Sequence, residues 1–146
     1  MHITNYLQKE HRLCDDIFAK AEGAVAKADF ENAKKEFEAF ANETLLHFKK
    51  EEDELFPAFE AITGSSEGPT AVMRYEHDQV RALLGKMAEA LSNQDKDAYL
   101  SLSESMMILL QQHNMKEEQM LYAMCDRVFD TAKKEELINK MQEVKL

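Results

Sequence analysis

The feature that most restricts how this chain can fold is an internal repeat. His47-Phe-Lys-Lys-Glu51-Glu52-Asp-Glu-Leu55-Phe56 and His113-Asn-Met-Lys-Glu117-Glu118-Gln-Met-Leu121-Tyr122 share the pattern H-x-x-K-E-E-x-x-L-[FY]. Each copy sets a histidine and a carboxylate one helical turn apart. A second matching pair precedes each copy, Glu10-His11 and Glu76-His77, and 36 residues separate both His11 from His47 and His77 from His113. Such self-similarity predicts a duplicated helical hairpin, residues 2–62 repeated as 69–128, within a single domain spanning 1–146.

Composition agrees with helices and leaves little material for a sheet. Four glycines and two prolines in 146 residues supply few turns, whereas Ala, Glu, Lys, Leu, Met and Gln, all good helix formers, dominate. Apolar residues recur at three-and-four spacing through segments 2–28, 30–62, 69–92 and 96–128, with a shorter tail helix over 131–144. Asp29 and Ser92-Asn-Gln-Asp95 supply caps, Thr63 to Gly68 is the one loop-like run, and Pro69 suits a first helical turn. The expected fold is all-α: an up-down-up-down antiparallel four-helix bundle with a short C-terminal helix.

A net charge of -10 argues against nucleic acid and anionic lipid as partners, since both need clustered Lys and Arg. No apolar run is long enough to span a membrane or serve as a signal peptide, so a cytoplasmic location is expected. Cys14 and Cys125 lack C-x-x-C spacing and read as packed thiols.

The histidines fall on the apolar faces. The stripe of the first helix runs Ile3, Leu7, His11, Cys14, Phe18; that of the second, Phe37, Phe40, Thr44, His47, Glu51, Leu55. The third reads Met73, His77, Val80, Leu84, Met87, and the fourth Met106, Leu110, His113, Glu117, Met120, Met124. One histidine interrupts each stripe, and two stripes carry a glutamate one turn later. Buried carboxylates are costly unless paired or bound to a cation. Asp29 lies midway between His11 and His47 and Asp95 midway between His77 and His113, so in an up-down bundle the four imidazoles meet at one level.

That donor set is nitrogen and oxygen without thiolate, and six side chains exceed what one tetrahedral ion accepts. The reading is a pair of metal ions held by His11, His47, His77 and His113 and bridged by Glu51 and Glu117. Iron, manganese or zinc in a carboxylate-bridged pair suits it, and a solvent oxygen between the ions would leave open coordination positions for a small molecule. Asp15 and Glu43, each one turn from a histidine, are candidates to orient an imidazole or complete the coordination, and read equally well as surface charges. Four tyrosines are possible hydrogen-bond donors to bound oxygen, although most such residues are packing groups.

Across nearly its whole length the chain resembles the hemerythrin-like (HHE cation-binding) family, on His47-x-x-x-Glu51-Glu52-x-x-Leu55-Phe56-Pro57, on Glu76-His77 and on His113-x-x-x-Glu117-Glu118. The resemblance implies a non-haem di-iron bundle, two iron ions (Fe2+/Fe3+) with a bridging oxo or hydroxo group ahead of zinc or manganese, with the six residues above as ligands. Its oxygen carriers have a fifth histidine on the third helix, where this chain has Met73 or Arg81. Their fourth-helix carboxylate follows its histidine by five residues, which makes Glu118 the alternative to Glu117. The run Gly68 to Asp78 also looks like that of di-iron proteins implicated in iron–sulfur cluster repair. The function implied is binding of O2, NO or peroxide in oxygen, redox or iron sensing, storage or protection, with a di-iron enzyme or a metal-stabilised iron-sensing interaction module as alternatives.

Overall fold

The structure, a computed structural model, describes residues 1–146 and consists of helices joined by short turns. Helix α1 (Ile3–Ala26) is followed by α2 (Phe30–Lys50), a π-helical turn (Glu51–Leu55) and α3 (Phe56–Thr63), which together form one continuous rod. The second half repeats this plan: α4 (Pro69–Ser92), α5 (Lys96–Lys116), a π-helical turn (Glu117–Leu121) and α6 (Tyr122–Val128), before the tail helix α7 (Thr131–Glu143). No helix is long and apolar enough to cross a membrane.

The turns are made by the residues whose chemistry demands them. Asp29 and Asp95 cap α2 and α5, accepting hydrogen bonds from the backbone N–H of Asn32 (3.3 Å) and Ala98 (3.1 Å). The residues just before these caps, Ala28 and Gln94, both take left-handed backbone (φ 57° and 49°), so the two hairpins turn alike. Gly64 supplies the positive φ (76°) that ends α3. The first residues of α1 have no local cap. Asp126 of α6 serves instead, accepting from the N–H of Ile3 at 2.7 Å and of Thr4 at 3.2 Å.

Helix α1 packs against α2 and α5, and α4 packs against α5 and α2, which closes a ring of four antiparallel rods. Two apolar clusters fill it. One, at the hairpin-turn end, contains Phe18, Phe37, Phe40, Val80, Met87 and Tyr99. The other contains Leu7, Leu55, Phe56, Tyr122 and Cys125, and receives Leu137, Ile138 and Met141 of α7, which closes that end of the bundle. Between the clusters lies a buried polar layer.

The fourth apolar stripe departs from the expected one. Met120 is 59 % exposed and Met124 half-buried, while Leu121, Tyr122 and Cys125 face inward. The cause is the π turn, whose wider ring rotates every later residue relative to an uninterrupted α-helix. Pro57, which lacks an N–H, follows the first π turn, but the second forms with Ala123 at the matching position, so the proline is not its cause.

Candidate metal centre

The polar layer holds all six residues singled out by the repeat: His11, His47, His77, His113, Glu51 and Glu117, none more than 4 % exposed. The imidazoles form two pairs. His11 of α1 and His47 of α2 have ring centroids 4.6 Å apart, and His77 of α4 and His113 of α5 lie 4.9 Å apart. Each glutamate reaches one imidazole of each pair. Glu51 Oε1 is 3.3 Å from His47 Nε2 and 3.2 Å from His77 Nε2, while Glu117 Oε1 is 3.1 Å from both His113 Nε2 and His11 Nε2.

The outer nitrogens are equally regular. The Nδ1 of His47 meets Glu10 (2.9 Å), that of His113 meets Glu76 (2.8 Å), that of His77 meets Glu52 (2.7 Å) and that of His11 meets Glu118 (2.7 Å). Lys50 and Lys116 pair with the second oxygens of Glu10 and Glu76, Arg81 with Glu52 at 2.8 Å, and Gln8 donates to Glu118 at 2.7 Å. With a carboxylate accepting at Nδ1, each neutral imidazole keeps its proton there and turns the Nε2 lone pair toward the centre. His77 is further fixed by Phe48, whose ring stacks on it at 3.8 Å.

These contacts separate Glu117 from Glu118. Glu117 is fully buried and faces the Nε2 atoms, whereas Glu118 accepts from the far side of His11. They also correct the imidazole-orienting role expected of Asp15 and Glu43. Asp15 is exposed and Glu43 half-exposed, and the imidazole-orienting positions belong to Glu10, Glu52, Glu76 and Glu118. The repeat already carried that signal, since all four glutamates and both lysines recur at matching positions.

Tyr122 was not singled out among the four tyrosines, yet its hydroxyl lies in the centre. It donates to Glu51 Oε2 at 2.6 Å and lies 3.0 Å from Glu117 Oε1, 3.2 Å from His11 Nε2 and 3.3 Å from His47 Nε2. The matching residue of the first hairpin is Phe56, which stacks on His77 with centroids 5.7 Å apart.

The electrostatics call for a cation. Burial and the neighbouring charge of Glu117 push the Glu51 carboxyl above its ordinary range. Burial opposes protonation of His47 and His113, but the glutamate charges around them prevail, raising His47 well above the usual imidazole value and His113 to about 9. Four buried ligand-type atoms, Glu51 Oε1, His77 Nε2, His113 Nε2 and Glu117 Oε2, have no hydrogen-bond partner. Native interiors rarely tolerate one such atom, and a metal ion satisfies all four together. Ligand atoms of Glu51, His77, His113 and Glu117 lie within 4.8 Å of one another, as do those of His11, His47 and Glu117, so the donors fall into two overlapping groups.

Beside His11 and His47 is a cavity of about 10 Å3, room for one water-sized molecule, lined also by Cys14, Asp15, Thr44, Phe48, Leu110 and Asn114. The Thr44 hydroxyl is buried there without a partner.

The comparison with known families agrees with this geometry. The model of the Hemerythrin HHE cation binding domain matches residues 2–125, which takes in all six central residues and leaves α7 outside. No curated protein and no solved structure matches the chain.

Proposed function

The chain belongs to the hemerythrin HHE cation-binding domain family, and from that premise we propose that it is a non-haem di-iron protein that binds O2, NO or peroxide in oxygen, redox or iron sensing, storage or protection. In this reading His11 and His47 would hold one iron, His77 and His113 would hold the other, and Glu51 and Glu117 would be shared between them. The observation that carries it is the reach of each buried glutamate to an imidazole of both pairs, with four donor atoms otherwise unpartnered. Iron is favoured over zinc because six nitrogen and oxygen donors exceed a closed tetrahedral site and no thiolate is among them.

When bound, the iron pair supplies exchangeable electrons and open coordination positions. What the chain's own residues supply is order and exclusion. The four Nδ1–carboxylate hydrogen bonds hold the imidazoles in one orientation and increase their basicity. Phe48, Phe56 and the two apolar clusters keep bulk water out, so a charged or large ligand would lose its hydration without replacement. The water-sized cavity beside Thr44 favours a diatomic or comparably small molecule.

The deciding experiment is elemental analysis of anaerobically purified protein, with visible spectra before and after air, peroxide and NO. About two irons per chain and a new absorption band with one of these molecules is the expected result. Zinc alone, or no metal, would overturn the reading.

A further inference from the structure

The two halves of the centre are not equivalent, and the difference is one oxygen atom. At matching positions just after the π turns stand Phe56 and Tyr122, both fully buried. The Tyr122 oxygen lies 2.6, 3.0, 3.2 and 3.3 Å from Glu51 Oε2, Glu117 Oε1, His11 Nε2 and His47 Nε2. Nitrogen and oxygen ligands sit about 2.1 Å from a first-row metal ion, so neighbouring vertices of an octahedron are about 3.0 Å apart and opposite ones about 4.2 Å. One vertex of an octahedron neighbours four others. The Tyr122 oxygen stands in that relation to His11, His47 and Glu117, the three residues whose ligand atoms form one group, and His47 Nε2 and Glu117 Oε1, at 3.9 Å, approach the opposite-vertex separation.

We propose that Tyr122 is a seventh protein ligand, a phenolate on the ion that His11 and His47 would hold, so that the two ions have unequal donor sets. The inference rests on the di-iron reading and adds an asymmetry to it. Ligation breaks the phenol O–H bond, forms a metal–oxygen bond and releases one proton to solvent; a trivalent cation at this distance deprotonates a bound hydroxyl as it does a bound thiol or water. Without the ion the same proton is held in the hydrogen bond to Glu51. Phe56 presents no donor atom to the other ion, so nothing from the chain fills the equivalent vertex there.

The test is resonance Raman and visible absorption of ferric protein, wild type and Tyr122→Phe, with iron counted in each. The wild type is expected to show a phenolate-to-iron charge-transfer band with enhanced tyrosine ring modes. Tyr122→Phe, which preserves the ring and its packing, is expected to lose both while keeping two irons. Wild-type protein carrying two irons without those modes, or a variant that retains them, overturns the proposal and leaves the di-iron reading standing. Wild-type protein without iron overturns both. If Tyr122→Phe fails to fold, ring-deuterated tyrosine in the wild type decides the matter: the enhanced modes shift with the label only if a tyrosine is bound. That tyrosine can only be Tyr122, because Tyr75 is exposed, Tyr99 belongs to the far apolar cluster and the Tyr6 hydroxyl accepts from Lys50.

Discussion

Glu10 on α1 accepts the Nδ1 hydrogen of His47 on α2 at 2.9 Å, and the second hairpin reproduces the contact with Glu76 and His113 at 2.8 Å. Each glutamate immediately precedes a central histidine, so one residue of the pair faces the centre and its neighbour braces the imidazole on the next helix. The duplicated hairpin therefore carries the centre together with its supports.

Replacing Glu10 or Glu76 by Gln removes the charge while keeping the shape. Because such partners orient an imidazole and increase its basicity, each change should weaken iron binding about 10–100-fold with the fold retained. Competition against a coloured chelator measures it, and unchanged affinity in both variants would show that these carboxylates do not act on the centre.

Glu117 and Glu118 should behave differently. Glu117→Ala removes the atom shared between His113 and His11 and is expected to lose most of the bound metal. Glu118→Ala removes only the acceptor at His11 Nδ1 and should keep metal at reduced affinity. Metal content of the two purified variants decides it, and the reverse order would exchange their roles.

The metal-free protein should lose stability toward alkaline pH. His113 has its pKa raised from 6.5 to about 9, so its contribution is complete below pH 6.5 and disappears as pH rises through 9. At the acid end Glu10 and Glu52 are held down from 4.5 to about 2 by their histidine and cationic partners, against burial. Their contribution is present above pH 4.5 and is lost as pH falls through 2. Iron affinity runs the other way from the alkaline trend, rising with pH as ligand protons are displaced more easily. Thermal melts of chelator-treated protein across this range test the sign; a flat profile from pH 6.5 to 9 would contradict it.

Phe48→Ala should cost about 3–5 kcal/mol, since Phe48 is 2 % exposed and its ring lies on His77. Denaturant unfolding measures the loss. A cost well below 1 kcal/mol would show that the bundle collapses around the gap.

The amino-acid pattern alone determined the helical rods, the hairpin repeat and the level at which four histidines and two glutamates meet. Those follow from residue spacing, because helix pitch converts separation along the chain into height and face. The tertiary structure decided which carboxylate braces which imidazole, that Glu117 faces inward while Glu118 lies outside, and that Tyr122 reaches the centre in place of Met120 facing the core. Spacing could not yield these. Contacts between different helices depend on how the rods rotate against one another, and each π turn changes that rotation within a single rod, so a uniform α-helical period puts Met124 rather than Cys125 on the inward face.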